Sequence, residues 1–360
     1  MAAMIISEAT DPQEWDAFLA DQPVSPFLQS WTMGEVYKDV GQQPIRLIMK
    51  NGETIEGICM ALFVPARRGR HVSVPYGPVL RCAGTQNFAF LHNALIEQAR
   101  IHHCAFIRIS PHWNQDQTGI LESVGCRRSP LHLLAEHIWY LPLSTNNPWQ
   151  TYKKHGGDMR KADDIFKEMR STTRNLIRRA EKDGVTIEKS EDPLKDLPYF
   201  ITLHEETRKR HGFTPYTNKF FETQVKHFAT RNECTLYLAK YQNEVISASI
   251  HMHAFGETSY HHGASTFKHR KIPSSYLLQW TAIKDAIERG DHIYNFWGIA
   301  EPNDKGEAED KAHPFAGVTL FKTGFGGQLL SLVHCMDLPL TPMYQLTRMI
   351  EILRKWKRGF

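Results

Sequence analysis

Apolar residues along this chain follow two periods, and the switches between them mark its elements. Nearly unbroken or alternating runs predict strands at Ile45 to Met49 and at Thr54 to Val64, joined by the turn signal Asn51-Gly52. His71 to Leu80, which contains Pro75-Tyr76-Gly77-Pro78, continues the β pattern, as does Ala105 to Ile109 before Ser110-Pro111. Helical spacing governs Trp15, Phe18 and Leu19, behind the start signals Asp11 and Pro12, and the stretch Asn87 to His102. In the second half, Thr235 to Lys240 and Glu244 to Phe255 read as a hairpin, and Ser259 to Ser265 as a short strand. Leu277, Leu278, Trp280, Ile283 and Ile287 then recur at helical spacing, so Ser275 to Arg289 is a helix that stops at Gly290. Ile293 to Trp297 is apolar enough for a buried strand.

The two halves follow one plan. Lys50 matches Lys240 at an offset of 190, Gly77 matches Gly263 at 186, and Phe106 matches Tyr294 at 188. A period of that size means two copies of a domain, not a solenoid. The fold class expected is α/β (α+β), with two tandem domains of mixed sheets flanked by helices. The expected boundaries are 1–148, completed by 335–360, and 149–334. The stretch from Ser259 to Ile299 is similar to the middle of a GNAT-type acyltransferase domain, where a glycine-rich loop holds the pyrophosphate of CoA. Here that loop reads Arg270-Lys271-Ile272-Pro273-Ser274-Ser275. Proline has no N–H to give, and no glycine is present. The scaffold is kept and the CoA cradle is lost, while a basic loop feeding a helix N-terminus remains a seat for an anion.

Composition narrows the class. In 360 residues, 41% are apolar and the net charge is +4, which permits an anionic partner without demanding one. Six dispersed cysteines with no C-x-x-C pair read as reduced thiols of a cytoplasmic protein. No signal peptide opens the chain, and its longest apolar run, Ile58 to Pro65, is far short of the ~20 residues a membrane span needs. The expected location is the cytoplasm, with its membrane face open to the protein. No phosphate loop and no G-x-S-x-G elbow occur, so no cofactor is expected. His251-Met252-His253 would point two imidazoles to one face of a strand, but no third ligand stands at metal spacing, so no metal is expected. His261-His262 should point to opposite faces.

Cationic clusters carry the candidate chemistry. After a linker marked by Pro148 and Gly156-Gly157, Asp164 to Asp183 is expected to be one helix. Arg170, Arg174, Arg178 and Lys182 recur along one flank, as a solvated face or as a ridge that meets phosphates. Arg208-Lys209-Arg210-His211 ends another helix, as a cap or as a site, with Tyr216 shortly after. Phe321-Lys322-Thr323-Gly324-Phe325-Gly326-Gly327 places a lysine beside tight backbone; it reads as a hairpin into a last strand, as a ligand approach, or as both. Pro342 to Phe360 is an amphipathic helix with Leu346, Met349, Ile350, Leu353 and Trp356 on one side and basic residues over the rest. The reading favoured for that helix is packing on the first domain; rest on an anionic membrane is the other.

Together these pieces resemble the FemABX family, the peptidoglycan-bridge aminoacyltransferases. The match runs through Phe27-Leu28-Gln29-Ser30-Trp31 with Lys38, Thr173 to Val185, Thr207 to Phe213, Gly263-Ala264-Ser265, Pro273 to Trp280, Tyr294 to Ile299 and Phe321 to Gly327. With no long helical arm between Phe213 and Cys234, the chain looks like the armless members. The resemblance implies transfer of an amino acid from aminoacyl-tRNA to an amine of a peptidoglycan precursor, lipid-linked or UDP-linked. The protein itself is expected to be a monomer. The same resemblance implies that Lys322 stands at the reaction centre and that Lys38 and Arg210 hold the precursor's diphosphate. Tyr216, Tyr76, Ser110 and Tyr260 are taken as further substrate contacts, and Arg174, Arg178, Arg270 and Phe325 as contacts to tRNA or phosphate. Two departures bear on the precursor: Ser110-Pro111 replaces an acid before proline, and Tyr294-Asn295-Phe296 replaces Tyr-Asp-Phe. The alternative function is N-acyl transfer from CoA or a carrier in cell-envelope synthesis. A non-catalytic RNA- or membrane-binding protein on the same fold is a third reading.

Overall fold

Both hairpin patterns fold as antiparallel strand pairs, and each carries a bulge at the same point. The computed structural model describes residues 4–67, 69–154, 156–211 and 216–358, with side chains for all of these but 210, 211, 357 and 358. Strands of the first half are β1 (Met4–Glu8), β2 (Gln43–Asn51), β3 (Thr54–Val64), β4 (His71–Tyr76), β5 (Val79–Leu80), β6 (Phe106–Pro111) and β7 (Arg127–Arg128). Those that follow are β8 (His137–Pro142), β9 (Thr186–Lys189), β10 (Cys234–Tyr241), β11 (Glu244–Ala254), β12 (Glu257–Ser265), β13 (Ile293–Gly298), β14 (Gln328–Ser331) and β15 (Met336–Pro339). The β2–β3 register shifts between Met49 and Lys50, and the β10–β11 register between Ala239 and Lys240, at the 190-residue offset seen in sequence. Gly52 and Glu53 close the first hairpin, one position later than the expected Asn51-Gly52, because Asn51 itself pairs with Thr54.

Two compact units result: Met1–Glu136 with Ser331–Phe360, and His137–Leu330. The first sheet runs β1-β2-β3-β4-β6-β15-β7, with β5 paired on β3, and the second runs β14-β8-β13-β12-β11-β10-β9. Read from opposite ends, they are one sheet used twice. Each has a hairpin, a third antiparallel strand, a parallel neighbour to that strand, and an antiparallel strand beyond it. β8, which the sequence reading puts within 1–148, is hydrogen-bonded to β13 in the second sheet. Helices flank both sheets. Phe88, Leu91 and Leu95 of the helix Thr85–Ile101 pack on Val72, Val74, Ile107 and Ile109. Leu277, Leu278 and Ile283 of the helix Ser274–Arg289 pack with Tyr237, Ala239, Tyr294 and Phe296. Full burial of such side chains stabilises by roughly 1.5–3 kcal/mol each.

The Phe27-to-Trp31 motif is a clasp. Gln29 is fully buried; its Nε2 donates to Met60 O at 3.0 Å and Pro75 O at 2.7 Å, and its Oε1 accepts from Met60 N at 2.8 Å. The turn is thereby fastened to β3 and β4. Gly77 is needed beside it, since a Cβ there would lie 2.6 Å from the Gln29 amide.

The single helix expected over Asp164 to Asp183 is two, Ala162–Glu168 and Ser171–Lys182. The break comes at Arg170, which binds backbone and side-chain groups of distant segments. Its N–H bonds to Gly324 O at 3.0 Å, and its guanidinium donates to Lys305 O at 2.6 Å and Thr323 Oγ1 at 2.9 Å. Arg174 donates to Lys167 O at 2.7 Å and to Met169 O, and so caps the first of the two helices.

The helix Met343–Arg358 returns to the first unit, but not by the face its apolar residues predict. Tyr344 and Thr347 are buried, and Glu351 reaches Arg108 on β6 with bonds of 2.7 and 3.0 Å. Arg108 also holds Asp337 on β15 in a bidentate pair of 2.7 and 2.9 Å. Leu346, Met349, Leu353 and Trp356 stay exposed, at 53%, 62%, 62% and 86%. The charged cluster claims the opposite side of the helix, because burying two carboxylates and a guanidinium is tolerable only when all three meet. Burial works against the Arg108 charge, yet the two carboxylates hold its pKa above the usual value. Arg108→Leu is therefore expected to lower the unfolding free energy by about 3–5 kcal/mol, because fully buried Asp337 loses its partner. Urea unfolding followed by circular dichroism reads this, and a loss under ~1 kcal/mol would show the cluster to be dispensable.

Candidate active site

The two sheets differ where their parallel strands meet. In the first, β4 and β6 pair along their whole length, from His71↔Phe106 to Tyr76↔Pro111. In the second, β12 and β13 pair only at Glu257↔Ile293, Thr258↔Tyr294 and Ser259↔Asn295. Beyond that point β12 follows β11 to Ser265, and β13 follows β8 to Gly298. The second sheet therefore parts into a wedge between Tyr260 and Phe296.

Bulges on both sides hold the wedge open. The β11–β12 register passes from Ile250↔His262 to His251↔Tyr260, so His261 is the extra residue. β13 is irregular between Asn295 and Gly298, and Trp297 sits at φ 67°. The Asn295 side chain supports that turn, accepting from Trp297 N at 2.7 Å and donating to Glu257 at 2.8 Å. Bulges re-aim side chains beside active sites, and left-handed backbone at a tryptophan is a strained feature that its surroundings must hold. One consequence reverses the sequence reading. His261 and His262 do not point to opposite faces; the bulge brings their ring centroids to 3.9 Å. Burial pushes His261 down to about 3 and His262 well below its usual value, so both are neutral. Trp297, which the sequence did not single out, meets His261 edge-on at 5.0 Å.

Lys322 enters this wedge from the last turn of the helix Ala316–Thr323, not from a hairpin loop. It is 6% exposed, its Nζ donates to Gly298 O at 2.7 Å, and it stands 5.6 Å from the Tyr260 ring centroid. Among the described residues no carboxylate pairs with it. Burial alone pulls its pKa down to about 7. The glycines after it approach the chain itself: a Cβ on Gly324 would lie 2.4 Å from Thr173 Oγ1, and one on Gly327 2.4 Å from Tyr140 O. Tyr260 is fixed from below. Its ring stacks on His251 at 5.4 Å, and a Cβ on Gly263 would strike its hydroxyl. His251 bonds Tyr294 at 2.8 Å, while His253 bonds Thr235 at 2.8 Å and Thr258 at 3.0 Å. The nitrogens weighed as metal ligands are thus engaged within the sheet.

A cleft of about 400 Å³ opens at the start of the helix Ser274–Arg289, lined among others by Leu176, Ile246, Arg270, Lys271 and Tyr276. No side chain caps that helix, so its first N–H groups remain for an anion. Arg270 is exposed, with its guanidinium 4.2 Å from the Phe267 ring centroid.

The other residues singled out from sequence have surroundings of their own. Lys38 is 65% exposed by side chain and 3.8 Å from Glu35. Arg210 lies on the helix Pro193–His211, with its side chain outside the described residues. Tyr216 is half exposed and stacks on Phe220 at 4.4 Å. Tyr76 and Ser110 are buried where β4 and β6 stay zipped, and the Tyr76 hydroxyl donates to Ala135 O at 2.8 Å. Arg178 is exposed, 5.3 Å from the Phe166 ring centroid. Phe325 is fully buried among Tyr276, Phe296 and Phe321, which leaves it no face for a polynucleotide. Arg174, spent on helix carbonyls, is a structural residue as well.

The chain is 21% identical to the aminoacyltransferase FemA of Staphylococcus epidermidis, over 86% of its own length and 89% of that protein's. It is equally similar to FemA of Staphylococcus aureus, over 92% and 95%. Its fold matches the crystal structure of FemX with a TM-score of 0.78 at 20% identity, covering 97% of this chain and all of that one. A tandem GNAT protein from the clavulanic acid pathway matches at 0.52 and 12% identity, over 94% and 99%. The family model described as FemAB matches residues 10–124, 142–242 and 230–352. With nearly the whole chain under that match, this protein belongs to the FemAB family.

Proposed function

We propose that the protein transfers an amino acid from aminoacyl-tRNA to an amine of a peptidoglycan precursor, and that the wedge between β12 and β13 is where the bond forms. The FemA relatives are aminoacyltransferases by name. The observation that carries the reading is Lys322, a buried lysine with no carboxylate partner among the described residues, at the mouth of the parted sheet. An ammonium held this way costs stability until an anion arrives.

The acceptor nitrogen attacks the ester carbonyl, and a tetrahedral oxyanion forms. Collapse breaks the bond to the tRNA 3′-oxygen, which leaves with the proton that the amine gives up. Lys322 offers its positive charge to the oxyanion or to the neighbouring tRNA phosphate, and either anion restores the charge that burial weakens. The ester is already activated, so the step needs no ATP. The uncapped start of the helix Ser274–Arg289, with Arg270 and Lys271 around the cleft, suits a phosphate of the donor. Lys38 and Arg210 are assigned to the precursor's diphosphate. Pro273 in the cleft loop counts against CoA as donor.

Incubation with a pool of charged tRNAs and a lysine-containing muropeptide should yield a product heavier by one amino-acid residue, read by mass spectrometry. Acylation from acetyl-CoA without tRNA would instead support the CoA reading. Affinity for tRNA should fall roughly 20- to 40-fold between about 50 and 200 mM salt if three phosphates are engaged; a flat profile argues against tRNA. Lys322→Met should lower turnover by about 10²-fold or more while precursor binding persists, and wild-type turnover would remove the assignment.

The same substitution should also stabilise the fold. A lysine whose folded pKa is about 7 binds its proton less well folded than unfolded, where the value is near 10.5. Its cost is full below pH 7 and fades as pH rises toward the unfolded value. Lys322→Met should therefore gain on the order of 2–4 kcal/mol at or below neutral pH, and the gain should shrink in alkali. Urea unfolding across pH tests this; a loss of stability at neutral pH would contradict it.

A further inference from the structure

We propose that the outer face of the C-terminal helix Met343–Arg358 docks on an anionic lipid bilayer. The inference goes beyond the transfer reaction and stands whether or not tRNA is the donor.

The helix has two faces with different duties. Tyr344, Thr347 and Glu351 share one side, and all three are used: the first two are buried, and the third binds Arg108. Met343, Leu346, Met349, Ile352, Leu353 and Trp356 lie on the other sides and are 48–86% exposed. Elsewhere in the described residues exposed large apolar side chains are scattered, twelve over the rest of the chain; these six sit on one helix. Scattered ones are ordinary, whereas a contiguous patch marks an interaction surface. From Met343 to Trp356 the stripe runs about 20 Å. Trp356, the most exposed of all, is the residue type that settles at the headgroup boundary.

Charge selects the occupant. The helix has one acid, Glu351, and it is turned inward to Arg108. Arg354 and Lys355 are exposed in the last turns of the helix, and the sequence adds Lys357-Arg358 at its end. Arg348 donates to Arg128 O and the Tyr344 hydroxyl, so it braces the helix from the flank. Toward solvent the helix therefore presents apolar and cationic groups with no anion among them. A helix that lies in the plane of an anionic membrane has this make-up: apolar residues sink below the headgroups while lysine and arginine meet the phosphates. A protein groove would ask for the apolar stripe without an all-cationic set of charges on the same helix. No helix among the described residues is long and apolar enough to cross a membrane, so the contact is one of lying on the surface.

The test is co-sedimentation of the full-length protein with vesicles, without substrates. Vesicles of phosphatidylcholine with phosphatidylglycerol should bind roughly tenfold or more tightly than phosphatidylcholine alone, and salt should weaken the binding. The double variant Leu353→Ser/Trp356→Ser should lose it, with an unchanged unfolding midpoint because both side chains are exposed. Arg354→Glu/Lys355→Glu should weaken it on the order of tenfold with the apolar stripe intact. Equal or absent binding to the two vesicle types overturns the proposal. So does a wild-type dimer in light scattering that becomes a monomer in Leu353→Ser/Trp356→Ser, since the stripe would then cover a second copy.

Discussion

A buried ammonium with no carboxylate partner among the described residues is the arrangement on which the second unit turns. Lys322 keeps one bond to the carbonyl of Gly298 and stands over the ring of Tyr260. Both contacts depend on irregular strands. Gly298 is reached because β13 kinks at Asn295 to Gly298, and Tyr260 faces the wedge because His261 is inserted into β12. The position at the end of a helix helps a cation slightly, since the last carbonyls carry partial negative charge. That help does not offset burial, which pulls the pKa down to about 7. The sheet thus stores an unmet charge at the place where, in the proposed reaction, the acyl-transfer intermediate would develop a negative one.

The first unit shows the opposite solution to the same problem. It uses the same strand order, yet β4 and β6 stay zipped, and its buried charge is fully answered by Asp337 and Glu351 around Arg108. One copy of the scaffold keeps its parallel pair zipped, and the other parts beside Lys322. The same cluster places the helix Met343–Arg358: its polar side is drawn to Arg108, and its apolar side stays exposed.

Much of this was legible in the sequence. The offset of 190 announced the repeat, because equal hairpins with equal bulges require equal spacing. The helix Ser274–Arg289 and its neighbouring strands follow from apolar spacing, since burial on one face leaves that trace. Other features could not be read. Strict alternation separates His261 from His262, and only a register with an inserted residue reunites them. The arginine row beginning at Arg170 looked like one ridge, but backbone carbonyls from distant segments break the helix and absorb two of its members. Phe325 sits in a motif beside Lys322 and serves the core. The apolar side of the last helix looked like its packing face because pattern shows amphipathicity, not which side meets the partner; Arg108, 243 residues from Glu351, decides that.

The measurement that reaches the central claim most directly is the titration of Lys322 itself. Carbon-13 labelling at the lysine Cε, assigned with Lys322→Met, would follow its protonation in the intact protein by NMR. The account predicts a midpoint near 7 in the free protein and a clear rise when a phosphate-bearing analogue of the donor binds. A midpoint at the ordinary lysine value in the free protein, or one that the bound analogue leaves unmoved, would contradict it.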